Sequence, residues 1–168
     1  MDCVIREWRI EDKTALAALL NNQNILNNLR DGLPYPYTVN DAEAYIAAML
    51  SADKTGTFAF AIESEHTLVG SIGVFRRENI HARTAEMGYY IGEPYWGRGF
   101  GTEAVRRACR HVFAHTDIIR IFAEPFARNA ASCRVLEKAG FQLEGILRSN
   151  AVKNGTVLDM KLYALVKE

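Results

Sequence analysis

The stretch EPYWGRGFGTEAVRRACRHVF, residues 93–113, sets Gly97, Gly99 and Gly101 within five positions, directly before an amphipathic run. Glycine has the most backbone freedom to lose on ordering. Three together mark unusual dihedral angles or a close approach to the main chain. A helix starting there leaves about four amides unpaired and a partial positive charge at its tip, a seat for phosphate oxygens. The amides from Arg98 to Thr102 would form that seat. GFGTEA also fits the G-x-G-x-x-A fingerprint of dinucleotide sites, with Glu124 about twenty residues on, where a ribose-binding acid belongs. Too little chain remains after it for the βαβαβ half-domain that such a site opens. A Walker phosphate loop is excluded, because no Gly-Lys-Ser/Thr follows.

Other residues offer chemistry singly. Glu86 lies mid-strand in TAEMGYYIG, two residues from Gly88 and on the same face. It reads either as a general base or as a strand carboxylate facing solvent or an arginine. Glu144 is a second acid. His111 and His115 have the i, i+4 spacing of metal ligands, but no third ligand stands near and no Glu follows His111, so no metal is expected. Cys3, Cys109 and Cys133 are odd in number and far apart, as befits reduced thiols. Cys133 has no base partner that would make it a nucleophile.

Periodicity supplies the elements that must hold these residues. CVIREWRI alternates loosely as a strand, and EDKTALAALLNN puts Leu16, Leu19 and Leu20 on one helical face behind an Asp12 cap. LRDGLPYPYT is broken by Pro34 and Pro36. TVNDAEAYIAAML carries an apolar stripe of Tyr45, Ile46, Met49 and Leu50 behind Thr38 or Asn40. Residues 57–63 and 67–76 read as a hairpin, and 84–92 continue the sheet until Pro94. A helix over 101–115, a buried strand over 118–125 and a helix ended by Gly140 follow. FQLEGILRS and TVLDMKLYALV close the chain as a hairpin around Asn154-Gly155. The order β-α-α-β-β-β-α-β-α-β-β makes one α/β domain over 1–168, with a mixed, mostly antiparallel sheet flanked by helices.

The chain order and four motifs, YWGRGFGTEA (95–104), RNAASCRVLEKAGF (128–141), LEGILR (143–148) and Asn154-Gly155 with Asp159, resemble the GNAT superfamily of acyl-CoA N-acyltransferases. Within it the chain is similar to the branch that acetylates ribosomal-protein N-termini. The resemblance implies the GNAT fold and acetyl-CoA as acetyl donor. Arg98, Gly99, Gly101 and Thr102 would cradle its pyrophosphate, while Asn129 and the main chain at Tyr90 and Ile91 would hold the pantetheine arm. Trp96 departs from the Gln/Arg of the superfamily pattern, and the nearer branch often carries an aromatic there. Arg106, Arg107 and Arg110 either meet the 3′-phosphate or form a solvated helix face.

The implied reaction is direct attack of a neutral amine on the thioester, which needs a base, oxyanion donors and a proton for the thiolate. Glu86 is the implied base and the amides around Tyr90 and Ile91 the oxyanion donors. The superfamily's usual acid, a tyrosine seven residues after the asparagine, is Leu136 here. Ser132 matches the serine of the nearer branch and is the candidate acid; its alternative is a cap or small packing residue. Tyr35 and Tyr37, flanking Pro36, would wall the acceptor cleft or pack on the core. An α-amine is about 10–15% neutral at pH 7 and a lysine below about 0.1%, so modest machinery favours a protein or peptide α-amine. A small amine such as a polyamine, drug or metabolite, or a non-catalytic coenzyme A module, are the alternatives.

Bulk properties agree. Hydrophobic residues make up 49%, and Lys+Arg 20 equals Asp+Glu 20. Zero net charge disfavours DNA or an anionic membrane as partner. No apolar run approaches a membrane span or signal peptide. A cytoplasmic enzyme is expected, with a final hairpin whose edge would permit a homodimer.

Overall fold

A computed structural model describes all residues, Met1–Glu168. Seven strands form one sheet in the order β1-β2-β3-β4-β5-β7-β6, antiparallel throughout except between β4 and β5. The strands are β1 (Val4–Glu7), β2 (Thr57–Ser64), β3 (Thr67–Arg76), β4 (Thr84–Ile91), β5 (Arg120–Ala123), β6 (Gln142–Lys153) and β7 (Thr156–Val166). Helices α1 (Lys13–Leu20), α2 (Gln23–Leu26) and α3 (Val39–Ser51) cover one face; α4 (Phe100–His115) and α5 (Ala130–Lys138) cover the other. No helix is long and apolar enough to cross a membrane.

The two faces follow from strand alternation. Ile62, Ile72, Val74, Ala85 and Met87 meet Ala104, Val105, Ala108 and Val112 of α4 and Leu136 of α5. On the other side Ala61 and Leu68 meet Leu16 and Leu20 of α1 and Ile46 of α3. The hairpin of β6 and β7 turns through Asn154 (φ 52°) and Gly155 (φ 74°), the left-handed pair the Asn-Gly sequence predicts. Asp159 holds the backbone of this hairpin: its Oδ1 accepts from the Ser149 N–H at 2.7 Å, pinning the irregularity between Leu147 and Ala151.

Three local expectations are corrected. Asp12 stands at the α1 N-cap position but caps nothing there; its carboxylate takes two bonds from Arg6, 2.8 and 2.9 Å, and one from the Arg9 N–H. A half-buried guanidinium is a stronger magnet than a helix amide. Leu50 falls off the α3 stripe and is exposed, while Ala42 takes its place. The one-turn α2, capped by Asn22 onto the Asn24 N–H, is too short to leave a periodic signature. Thr38 caps α3 as expected, in a reciprocal box with Asp41.

Candidate active site

The site begins where two parallel strands part. β4 pairs with β3 from Ala85 to Ile91, but with β5 only at Thr84–Arg120, Ala85–Ile121 and Glu86–Phe122. Beyond Ala123 the chain leans toward β7, where the Pro125 carbonyl accepts from Lys161 N–H and Phe126 bridges Met160. The far half of β4 is left with an open edge.

Alternation decides which groups line that edge. The Gly92 N–H bonds Val69 O and the Thr84 carbonyl accepts from Arg77 N–H, so even-numbered residues of β4 spend their main-chain groups on β3. The main-chain groups of Met87, Tyr89 and Ile91 therefore face the wedge. This corrects one expectation: the Tyr90 amide is turned into the ladder, and Tyr89 stands beside Ile91 on the open side. The Ile91 carbonyl is already met by the Trp96 indole N–H at 2.7 Å.

The glycine loop ends at the same opening. Gly97 (φ 72°) and Gly99 (φ 85°) occupy the left-handed region, where a side chain would be strained, and Gly99 is the N-cap of α4. The amides of Arg98, Gly99, Phe100, Gly101 and Thr102 have no acceptor in the protein; the first paired amide is that of Glu103, on Gly99 O at 3.2 Å. An added Cβ at Gly101 would reach only ordinary contact with Val135 and Ile91, so internal packing does not demand that glycine. Arg98 lies 5.9 Å over the Tyr95 ring and forms no ion pair. Arg106 instead caps Lys138 O at 2.7 Å, and Arg107 pairs with Glu103.

α5 supplies the opposite wall. Asn129 is its N-cap, with Oδ1 accepting from the Ser132 N–H at 3.2 Å. Ser132 Oγ lies 2.8 Å from the hydroxyl of Tyr89, which also donates to Ser132 O at 3.2 Å. Burial pushes the Tyr89 phenol up to about 12 despite that hydrogen bond. Leu136 is packed in the core, and so is Cys133.

On the other side of β4 a cavity of about 440 Å³ opens between the α2–α3 connection and the β6–β7 hairpin. Glu86 points into it and is paired with Arg30 and, at 3.4 Å, with Arg77. Arg30 also lies 3.8 Å from Glu124. Lys153, almost fully buried, bonds Asp31 at 2.8 Å. Tyr35 and Tyr37 do not line this cavity. Tyr37 is in the α1–α3 core, where burial pushes its phenol up to about 12, and Tyr35 is out in solvent. Glu144 is tied to Arg120 by two bonds, 2.6 and 2.8 Å, which hold its carboxyl below the usual range. His111 and His115 stack on each other at 4.4 Å, and no three His, Cys, Asp or Glu side chains are grouped as metal ligands would be.

Sequence reasoning missed Tyr89, Arg30 and Glu124 as members of this site. Tyr89 had a signal in its alternation partner, Ile91. Arg30 had none, since its connection carries no period.

Residues 2–142 match the family model described as an acetyltransferase (GNAT) domain. The uncharacterized N-acetyltransferase YoaA of Bacillus subtilis is 33% identical over 168 residues, 98% of this chain and 93% of its own length. The ribosomal-protein-serine acetyltransferase of Escherichia coli is 31% identical over 107 residues, 64% of this chain and 59% of its own. The crystal structure of spermidine N-acetyltransferase from Vibrio cholerae, in complex with CoA and spermine, superposes with a TM-score of 0.82 over 99% of this chain and 96% of that one, at 22% identity. At that identity the likeness is one of fold.

Proposed function

The chain belongs to the acetyltransferase (GNAT) family, and from that premise we propose that it moves the acetyl group of acetyl-CoA onto the α-amine of a protein or peptide. The observation that carries the donor half is the run of unpaired amides from Arg98 to Thr102, set against the open edge of β4. That arrangement fits a pyrophosphate at the helix tip and an extended arm laid along the strand. Arg98, Gly99, Gly101 and Thr102 hold the phosphates. Asn129 and the free main-chain groups of Tyr89 and Ile91 hold the arm and donate to the oxyanion.

The acceptor half rests on the cavity's charge. Asp31, Glu86 and Glu124 are matched there by Arg30, Arg77 and Lys153. Such a lining offers a single ammonium a carboxylate but gives a polycation no net attraction. A relative that acetylates ribosomal-protein serine points the same way. The incoming ammonium takes the place of Arg30 on Glu86, which then accepts its proton directly or through water. Ser132 gives a proton to the departing sulfur. Neither residue forms a covalent intermediate.

Acetylation is measured by mass spectrometry on alanine- and serine-initiated peptides, an Nα-blocked lysine peptide and spermidine. The expected result is kcat/KM at least about tenfold higher for the free α-amines, in line with their larger neutral fraction. Faster acetylation of spermidine would replace this acceptor by the small-amine alternative.

A further inference from the structure

The side chain of Tyr89 is absorbed by no role so far, although its hydroxyl makes the side-chain hydrogen bonds that join β4 to α5. It projects from β4 toward α5 and reaches Ser132 Oγ at 2.8 Å and Ser132 O at 3.2 Å. The contact to the carbonyl can only be made with Tyr89 as donor, because a carbonyl has no proton. Between the two hydroxyls either oxygen can donate; in the arrangement where the Tyr89 proton is shared between both acceptors, Ser132 receives at Oγ. Its own O–H is then free to point elsewhere, and the wedge is the direction left open. Ser132 is itself fixed, since its N–H is bonded to Asn129 Oδ1 at the helix cap.

We propose that Tyr89 is the positioning residue for the proton donor: its hydroxyl orients Ser132 Oγ so that the serine proton faces the sulfur, and it replenishes that proton. This rests on the acyltransfer reading above. In the step, the amine nitrogen forms a bond to the acetyl carbon and the carbon–sulfur bond breaks with its electron pair on sulfur. The Ser132 proton moves to sulfur as the Tyr89 proton moves to Oγ. The phenolate regains a proton from solvent, to which Glu86 passes on the proton it took from the amine. The pair supplies from β4 and the first turn of α5 what Leu136, buried one turn later, cannot.

The test compares wild type with Tyr89→Phe, Ser132→Ala and the double variant. Calorimetry measures acetyl-CoA affinity. Thiol release is followed with peptide and, separately, without acceptor, since hydrolysis also expels the thiolate. Tyr89→Phe lowers kcat about 10–100-fold in both reactions, with KM and acetyl-CoA affinity within twofold, and the double variant is no slower than Ser132→Ala. In the protein alone, the ζ-carbon resonance of Tyr89 in 13C-tyrosine-labelled samples, assigned by its loss in Tyr89→Phe, shifts in Ser132→Ala. Full activity in Tyr89→Phe, additive losses, or lost acetyl-CoA affinity in Tyr89→Phe would each overturn the proposal. A wild type that neither binds acetyl-CoA nor releases thiol would overturn the acyltransfer reading, and this proposal with it.

Discussion

Arg30 reaches from an irregular connection onto Glu86 and Glu124, so an acceptor ammonium must compete with a guanidinium already in place. Arg30 is more than half exposed, and such a pair contributes about 1 kcal/mol at most. Arg30→Ala is therefore expected to lower the acceptor KM up to about fivefold with acetyl-CoA affinity unchanged; a higher KM would mean that Arg30 binds the acceptor instead of standing in for it. Glu86→Gln is expected to cut kcat about 100-fold at pH 7, and an unchanged rate would assign deprotonation to solvent. Legibility at this scale followed local rules. Gly97 and Gly99 were marked by backbone freedom, Asn129 and Ser132 by motif. Tyr37 stayed between two readings because an aromatic beside proline reads alike whether it walls a cleft or fills a core, and the structure gives it the second; Arg30 was invisible because long-range ion pairs leave no spacing in sequence.

The elements matter to the site through the line where β4 leaves β5. β3 sets the position of β4, and Gly70 lies where a Cβ would run into the Tyr90 carbonyl oxygen and the Ile91 side chain. Gly70→Ala must push the two strands apart. It is expected to cost about 2 kcal/mol, read as a Tm drop of about 4–8 °C, and to weaken acetyl-CoA binding by displacing Ile91. A variant with unchanged Tm would show that the pairing is more pliant than its register implies. Nearly every strand and helix was legible from period and punctuation, including the hairpin at Asn154-Gly155. What periodicity could not supply was pairing: that β5 keeps to β7 throughout but runs beside β4 for only three residues, and so opens the wedge, depends on contacts between segments far apart in the chain.

For the molecule as a whole, acids and bases are equal in number, and several of them are held in ion pairs or by hydrogen bonds. Burial alone would raise the Asp12 carboxyl, but the hydrogen bonds from Arg6 and the Arg9 N–H more than reverse this and leave it below its usual range. Asp41 is lowered by the Thr38 bonds and Asp117 by Arg76. Groups whose folded pKa is depressed stabilise the protein above the ordinary carboxylate range, and that contribution is lost as pH falls through it. Tm is expected to hold from pH 7 to about pH 5 and then decline toward pH 3. Arg6→Ala, which removes the partner of both Asp12 and Glu63, should lower Tm at pH 7 and flatten the acid decline. A wild-type Tm independent of pH between 5 and 3 would refute this. Whether the unpaired amides before α4 hold the pyrophosphate of the acetyl donor is decided by calorimetric titration with acetyl-CoA of the wild type and of Gly99→Glu. The variant sets a carboxylate and an unfavourable left-handed backbone at the helix tip, and its folding is checked by circular dichroism. Micromolar binding by the wild type, lost in a folded variant, is the predicted result; no binding by the wild type, or equal binding by both, would contradict it.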